Sequence, residues 1–392
     1  MRAYTPRNEG ICVDKLHILQ VNKLYAPWVG GVERVVQDVA EGLRTRTDMQ
    51  VLVCQPKGKG RTDVVGGVPV TRASSLGTFF SMPVSFSFFR LLRKMSRGKQ
   101  IVQFHMPFPL ADLAYFFSGY KGKVVLWWHA DIVRQKKLMW VYKPIMQRFL
   151  KRADCIVVAT QGHIDSSAYL GPYRDKCRII PYGLDIPAYQ AQVAAHSPLA
   201  QAQGKRILFI GRLVYYKGVS VLLRAFANVR GAELFLVGDG PLREELQAFT
   251  QEAGMSERVH FLGKLPDEEV KACLRDCDFL AFPSVANSEG FGLVQLEAMS
   301  FGKPVINTSL PTGVPYVSLD EVTGLTVPPE DEHALAQAMQ RMVDDDSMRA
   351  QMGARAKARV ETEFNLQTTL QKLLDLYDAL AASEGEQHAA QT

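Results

Sequence analysis

The chain has 392 residues, of which 47% are hydrophobic and 22% are charged, a composition typical of a globular protein of about two domains. It contains no apolar run of about 18 residues, so no membrane-spanning helix is predicted, and its first residues lack the apolar core of a secretory signal. Its six cysteines include no Cys-x-x-Cys pair, so neither a zinc site nor a disulfide framework is predicted, and a reducing, cytoplasmic location is expected.

The net charge of +6 is divided unevenly along the chain. Through Pro181 there are 28 Lys and Arg against 12 Asp and Glu, a net charge of +16, whereas the remaining residues carry −10. This asymmetry indicates that the first half meets an anionic partner. Because no nucleic-acid-binding motif accompanies the charge, an anionic membrane surface is favoured over nucleic acid.

The first half alternates strand-like and helix-like segments. Residues 32–44 have the apolar spacing of a helix, and they follow the first strand candidate after a loop. The strand candidates are residues 16–21, 51–54, 101–105, 124–129 and 155–159. Strands that alternate with helices predict a parallel sheet with helices on both faces.

A second series of the same kind follows a turn at residues 181–185 and an Ala/Gln/Pro-rich stretch to about Gly204, which we interpret as a linker. Its strand candidates are residues 206–211, 233–238, 258–263, 278–282 and 304–308, and its helix candidates are 219–229, 242–252 and 333–343. The aspartates at 344–346 are interpreted as a solvated turn. An amphipathic helix is predicted at 366–381.

One segment, residues 288–297, concentrates candidate site residues. Glu289 and Glu297 lie eight residues apart, after the apolar run 279–285. We predict a strand, a loop, a glycine turn and then a helix, whose N-terminus favours anions. The residues of this turn and helix start are Gly290, Phe291, Gly292 and Leu293. Glu297 lies among apolar residues, and a carboxylate on the apolar side of a helix needs a partner. Solvated surface carboxylates are the alternative interpretation.

Four further glycine-containing loops follow predicted strands. Gly30-Gly31 precedes the first helix and would let the backbone approach a phosphate, although a structural turn explains it equally well. Arg212 and Lys217 lie five residues apart in GRLVYYKG and can clamp a diphosphate; a surface ion pair is the alternative. The turns with candidate base-pocket residues, which turn chemistry alone also explains, contain Gly238, Gly263 and Lys264.

His129 ends the apolar strand VVLWW and can hydrogen-bond a sugar hydroxyl or a phosphate, although a structural role is common for a lone histidine; His105 is a weaker duplicate. No metal-binding cluster is evident, and no cofactor is expected. Two basic-aromatic stretches, 86–99 and 134–152, have the composition of membrane-surface helices, or of ordinary helices with a basic outer face. The candidate acceptor or membrane residues are Asp131, Arg90, Arg93, Lys94, Lys136 and Lys137.

Together these motifs resemble family 4 of the retaining glycosyltransferases, which have the GT-B fold. The resemblance covers nearly the whole chain and depends most on SEGFGLVQLEAM, GRLVYYKG, VGDGP and the early Gly-Gly loop. It implies an N-terminal acceptor domain at residues 1–183 and a C-terminal nucleotide-sugar domain at 184–365, both Rossmann-like. It also implies that a helix at 366–383 crosses back to the first domain.

The resemblance also implies roles for the candidate residues. Arg212 and Lys217 would hold the donor diphosphate, with Gly31 approaching it from the facing domain. Glu297 would bond the ribose hydroxyls, and Glu289 the donor sugar. His129 would lie near the transferred sugar.

The resemblance narrows further at NTSLPTGVPYVS, which is similar to enzymes of bacterial surface-polysaccharide and O-antigen assembly that use GDP-mannose or GDP-rhamnose. Many relatives carry an acidic residue after the glycine matching Gly313, where this chain has Val314. The expected activity is metal-independent, retaining transfer of a hexosyl group to a lipid-linked or saccharide acceptor at the inner face of the cytoplasmic membrane. UDP-sugars are a second donor class. A nucleotide-sugar 2-epimerase and a non-catalytic nucleotide-sugar-binding protein are the alternatives.

Overall fold

The computed structural model describes residues 15–28, 30–79, 82–131 and 136–389, without the side chains of 136–139, 141 and 384–389. Two largely parallel sheets, one of eight strands and one of six, are each flanked by helices. We call the part built on the first sheet the N-terminal lobe and the part built on the second the C-terminal lobe. The α/β doubly wound prediction for both halves is confirmed.

The sheet of the N-terminal lobe has the strand order β10-β9-β8-β7-β1-β2-β4-β3, and every neighbouring pair is parallel except β3 and β4. Its strands are β1 (His17–Val21), β2 (Asp48–Cys54), β3 (Arg61–Val65), β4 (Val68–Ala73), β7 (Ile101–Met106), β8 (Lys123–Trp128), β9 (Cys155–Val158) and β10 (Cys177–Ile179). A separate short hairpin pairs β5 (Thr78–Phe79) with β6 (Met82–Pro83). The edge strands β3 and β10 were not predicted, because their exposed residues leave no continuous apolar run. The inner strand β4 was not predicted either, because Pro69, Thr71 and Arg72 interrupt its apolar residues.

Alternation along the strands divides the N-terminal lobe into two cores. Ile18 joins a cluster with helix α1 (Gly31–Leu43), whereas the next residue, Leu19, joins a cluster on the other face. The helices on that other face are α2 (Ser87–Met95), α3 (Pro109–Ser118) and α4 (Lys136–Arg152), and α5 (Gln161–Ser166) follows β9. The central strands are therefore buried on both faces, and their carboxyl ends all point to one edge.

The six strands of the C-terminal lobe are arranged β13-β12-β11-β14-β15-β16 and are all parallel. They are β11 (Lys205–Ile210), β12 (Ala232–Val237), β13 (Val259–Gly263), β14 (Phe279–Ala281), β15 (Val305–Thr308) and β16 (Gly324–Val327). The helices are α7 (Val219–Phe226), α8 (Arg243–Glu252), α9 (Asp267–Asp276), α10 (Leu293–Ser300), α11 (Val314–Val317), α12 (Glu332–Asp344) and α13 (Asp346–Glu363), with α6 (Ile186–Gln190) between the lobes. Five of these strands match the sequence prediction.

Two stretches of the second half are more ordered than the sequence predicts. The aspartates at 344–346 are exposed at the junction of α12 and α13, as predicted for a solvated connection, and Asp345 also caps α13 by accepting a hydrogen bond from the Met348 N–H. The stretch interpreted as a linker is folded against the protein: Tyr189 of α6 and Leu199 are both buried. The Ala/Gln/Pro-rich composition of this stretch gave no indication that these two apolar side chains would be buried.

A final helix, α14 (Leu366–Ala389), returns to the N-terminal lobe. Thr369 Oγ1 donates to the Pro181 carbonyl at 3.0 Å, and Arg46, in the turn after α1, donates to the Gln371 side chain at 2.9 Å. The crossing helix expected from the resemblance is thus present. The boundary proposed between residues 183 and 184 falls between the last strand of the first sheet and the first strand of the second, and as an exact position it stays a prediction.

Candidate active site

The loop between β14 and α10 carries Glu289, and α10 begins at Leu293 as the sequence predicts. The last loop residue, Gly292, has a φ of 79°, and a Cβ at this position would lie 2.5 Å from the ring of Phe282. Glycine is therefore required where the chain turns into α10. The first turn of α10 offers N–H groups and the positive end of a helix dipole, which favour an anion.

The N-terminus of α1 lies against this loop from the other lobe. A Cβ on Gly31 would be 3.6 Å from Leu293 Cδ1, so the first residues of α1 and α10 are in contact distance. Gly30 provides no capping side chain for α1. Two helix N-termini from different lobes thus meet at one place, an arrangement that suits a diphosphate.

Lys217 and Glu289 form an ion pair whose Nζ–Oε2 distance is 2.5 Å. The Ser284 hydroxyl donates to the same carboxylate oxygen at 3.2 Å. The two charged side chains are only 14% and 11% exposed, so both are largely desolvated and depend on each other. Lys217 is predicted to bind the diphosphate and Glu289 the sugar, and the structure brings the two side chains into direct contact. A diphosphate at Lys217 would therefore compete with Glu289.

Arg212 lies in the same loop after β11, and its side chain is exposed. The candidate base-pocket turns are neighbours at the carboxyl ends of β12 and β13, since the Gly238 N–H donates to the Gly263 carbonyl at 2.7 Å. Lys264 is exposed beside them, and Arg243 lies next to Gly263. These positions share the sheet edge of Lys217, but a base site there stays a prediction.

Glu297 has two partners that the sequence analysis did not identify. Burial raises the pKa of the Glu297 carboxyl, opposed by Arg34 of α1 and by a hydrogen bond from Tyr189 of α6. Arg34 also donates to Asp38 at 3.0 Å. Arg34 could have been predicted as a site residue from the sequence, because it lies three residues after Gly31 on the same helix. The approach of the two lobes is what brings its charge near Glu297.

His129 follows β8 and lies directly against the glycine loop, because a Cβ on Gly290 would be 2.4 Å from the His129 carbonyl oxygen. Its ring nitrogens are both within hydrogen-bond distance of partners: Nδ1 is 2.6 Å from the Tyr182 hydroxyl, and Nε2 is 2.9 Å from His105 Nδ1. Burial lowers the pKa of His129 well below its usual value. Phe291 packs edge-on against Tyr182, with ring centroids 4.8 Å apart.

Asp131 is occupied by the scaffold of the N-terminal lobe. The Trp128 indole and the Ser167 hydroxyl donate to its Oδ1 at 2.9 and 2.7 Å, and the Ala168 N–H donates to its Oδ2 at 2.9 Å. Both carboxylate oxygens therefore have protein partners. These hydrogen bonds give Asp131 a structural function in the loop after β8. Its contact with an acceptor stays a prediction.

Comparison with known proteins identifies the family. Residues 195–359 match the family model for glycosyl transferases group 1, and residues 29–187 match the model for Glycosyltransferase Family 4. The D-rhamnosyltransferase WbpZ of Pseudomonas aeruginosa is 34% identical over 353 residues, which cover 89% of this chain and 92% of the relative. The O-antigen chain mannosyltransferase C of Escherichia coli is 30% identical over 372 residues, which cover 94% of this chain and 100% of the relative.

The chain belongs to glycosyltransferase family 4. Solved structures agree on the fold of this glycosyltransferase. Anabaena Alr3699/HepE in complex with UDP has a TM-score of 0.75 at 20% identity, covering 93% of this chain and 100% of that one. The apo lipopolysaccharide outer core galactosyltransferase WaaB has a TM-score of 0.66 at 17% identity, covering 92% and 99%. The two facing lobes are therefore those of the GT-B fold.

The outer face of the glycosyltransferase's N-terminal lobe combines cations with exposed apolar rings. Arg90, Arg93 and Lys94 of α2 are exposed, as predicted for a basic outer face. Phe117 of α3 and Trp140 of α4 are 63% and 85% exposed. The side chains of Lys136 and Lys137, which the sequence analysis assigned to this surface, lie outside the described residues.

The described part of the chain shows neither a membrane span nor a metal-binding cluster. No helix there is both long and apolar enough to cross a bilayer. No group of three or more His, Cys, Asp and Glu side chains among these residues is arranged to hold a metal ion. Metal independence of this glycosyltransferase stays a prediction.

Proposed function

We propose that this glycosyltransferase transfers a hexosyl group from a nucleotide diphosphate sugar to a lipid-linked or saccharide acceptor of bacterial surface-polysaccharide assembly, with retention of anomeric configuration. This proposal rests mainly on the Lys217–Glu289 ion pair, which lies beside the N-termini of α1 and α10 from opposite lobes. Three sources of positive potential meet there, and the departing diphosphate is the species whose charge they match.

The proposed chemistry breaks the bond between the anomeric carbon and the diphosphate oxygen and forms a bond from that carbon to an acceptor hydroxyl oxygen. The leaving phosphate oxygen takes the hydroxyl proton. Lys217, Arg212 and the N–H groups of α10 stabilise the developing charge, so we expect no requirement for a metal ion or other cofactor. Glu289 binds the sugar once the diphosphate has taken its place at Lys217, and Glu297 binds the ribose.

GDP-mannose or GDP-rhamnose is the favoured donor, with UDP-sugars second. The support is the pair of relatives that span nearly the whole chain, a rhamnosyltransferase and a mannosyltransferase. The acceptor class has the same support, because one of these relatives carries O-antigen chain in its name. A nucleotide-sugar 2-epimerase has no support from these relatives, nor has a non-catalytic binding protein.

We further propose that the enzyme works at the inner face of the cytoplasmic membrane through the outer face of the N-terminal lobe. Exposed Phe117 and Trp140 would enter the interface while the cations of α2 meet anionic headgroups. The excess of +16 in the first half of the chain supports this orientation.

The decisive experiment incubates the protein with GDP-mannose, GDP-rhamnose and UDP-glucose, each with and without a mannose-containing oligosaccharide acceptor and with and without a chelator. We expect nucleoside diphosphate release that requires both one donor and the acceptor, a retained anomeric signal in the product NMR spectrum, and no effect of the chelator. Release of a free epimerised sugar without acceptor would establish the epimerase instead. Tight donor binding with no product would establish a binding protein.

A further inference from the structure

A chain of buried polar side chains connects His129 to the C-terminal helix. His105 of β7 lies 2.9 Å from His129 and places its Nε2 2.6 Å from Gln20 Oε1. The Gln103 amide also donates to Gln20 Oε1 at 3.1 Å. Tyr377 of α14 donates its hydroxyl proton to Gln103 Oε1 at 2.7 Å. We call this set, with Tyr182 at its other end, the histidine relay.

The relay is closed off from water. Gln20, Gln103 and Tyr377 are 0% exposed, and His105 is 1% exposed. In such surroundings each polar atom needs a protein partner, because an unpaired one carries its full desolvation cost. The relay residues come from β1, β7, the loop after β8, the segment after β10 and α14, so five parts of the fold must be in place together.

The donor and the acceptor of each hydrogen bond in the relay follow from Gln20, whose carbonyl oxygen can only accept. Gln20 Oε1 is a carbonyl oxygen and can only accept, so His105 Nε2 donates to it. A neutral His105 then accepts at Nδ1 from His129 Nε2, and His129 accepts at Nδ1 from the Tyr182 hydroxyl. Both ring nitrogens of His129 are thereby used inside the protein.

The rings around His129 are also nearly parallel to it. The planes of His129 and His105 are inclined by 9°, and those of His129 and Trp127 by 10°. The Tyr182 ring plane is inclined by 22° to that of His129. A rotation of the imidazole toward the cleft would break two hydrogen bonds and three ring contacts at once.

We propose that the histidine relay makes His129 a neutral positioning group, which fixes its own main chain against Gly290 instead of exchanging protons with substrates, and that Tyr377 is a positioning residue of the active site. This inference rests on the proposed function, because Gly290 belongs to the proposed sugar site. The His129 carbonyl oxygen would lie only 2.4 Å from a Cβ on Gly290, so a shift of His129 toward this glycine would displace the loop that carries Glu289. The helix that ties the lobes together thus reaches the reacting groups through hydrogen bonds.

The surroundings of His129 disfavour protonation of its imidazole. Burial is the largest cause of its lowered pKa, and repulsion by the Lys23 ammonium, and by His105 and His163 whenever these are protonated, lowers it further. Burial also lowers the pKa of His105 to about 3 and that of His163 to about 4. The two neighbouring imidazoles therefore stay neutral with His129 at neutral pH.

The first test measures the protonation state directly. Long-range proton–nitrogen NMR of histidine-labelled protein is recorded from about pH 5 to about pH 9, with the His129 signals identified by their loss in His129→Gln. We expect one neutral tautomer of His129, protonated on Nε2, across the whole range, with exposed His333 as an internal reference. A His129 that charges within the range, or that carries its proton on Nδ1, would overturn the proposal. This readout does not depend on enzyme activity.

The second test removes the far end of the relay. Tyr377→Phe keeps the ring and deletes the hydroxyl, and we expect kcat to fall about tenfold with the donor KM little changed, because the loss acts on alignment. The matched control is Leu373→Val, which loosens a buried contact of the same helix outside the relay and should lower Tm but keep kcat. Wild-type kcat in Tyr377→Phe, or an equal loss in both variants, would contradict the inference. An inactive wild-type protein would instead contradict the proposed function.

Discussion

Lys217 is the single residue on which the proposed catalysis depends most. Its ammonium group lies 2.5 Å from Glu289 and also 5.1 Å from the centroid of the Phe282 ring. An aromatic wall and a carboxylate hold the ammonium in one place, where a phosphate oxygen can replace the carboxylate at little reorganisation. Lysine in this setting is a fixed point charge and not a mobile surface cation.

Replacing either member of this pair should remove a contact that strengthens as the diphosphate departs. We expect Lys217→Ala and Glu289→Ala each to lower kcat/KM by at least about 10²-fold, measured as donor- and acceptor-dependent nucleoside diphosphate release. Lys205→Ala is the matched control, since Lys205 is an ion-paired lysine of the same lobe, bonded to Asp346 at 2.8 Å and outside the cleft. Wild-type turnover in Lys217→Ala would exclude the assigned role.

Among the elements, α13 illustrates how a helix can be hidden in a polar sequence. It begins after Asp345, whose carboxylate accepts from the Met348 N–H at 2.8 Å, and it buries Met352, Ala356 and Val360 along one side. The three consecutive aspartates indicate a solvated turn when they are considered alone. In the folded chain the aspartates are exposed between α12 and α13, and Asp345 also provides the N-cap from which the narrow apolar stripe of α13 begins.

The cap predicts a specific loss of stability. Asp345→Ala should lower the free energy of unfolding of the C-terminal lobe by about 1 kcal/mol, because the α13 N–H group loses its acceptor. Asp344→Ala is the control: Asp344 ends α12 and accepts from the Gln340 side chain at an exposed site. Denaturant titration of both variants checks the difference. Equal effects would mean that general charge, and not the cap, stabilises this junction.

At the scale of the whole molecule, two surfaces of the N-terminal lobe differ in chemistry. Its cleft edge carries His129 and the helix N-terminus at Gly31, and its outer helices carry exposed Phe117, Trp140 and the α2 cations. An acceptor with a lipid anchor would meet the outer helices at the membrane while its saccharide reaches the cleft.

This arrangement predicts selective membrane binding. The protein should co-sediment with vesicles containing phosphatidylglycerol and not with pure phosphatidylcholine, and Phe117→Ala with Trp140→Ala should weaken the binding about tenfold. Val322→Ala is the control, because Val322 is an exposed apolar residue of the opposite lobe. Equal binding of the double variant and the wild type would remove this face from the membrane proposal.

The sequence by itself determined the two doubly wound lobes, the strand–glycine–helix segment around Glu289 and the family. These are properties of short segments: apolar runs make the buried strands, and a glycine with positive φ at Gly292 sets the start of α10. The helix boundaries of α1 and α10 follow from the same local signals.

Only the tertiary structure decided which distant residues share a site. Lys217 meets Glu289, Arg34 approaches Glu297, and Tyr377 reaches the histidine relay, because parallel strands bring their carboxyl ends to one edge and α14 crosses between the lobes. Each of these pairs is separated by tens to hundreds of residues, and no local pattern in a single sequence encodes such a distance. Local propensity therefore specified the elements, whereas burial and hydrogen bonding between them specified the partners.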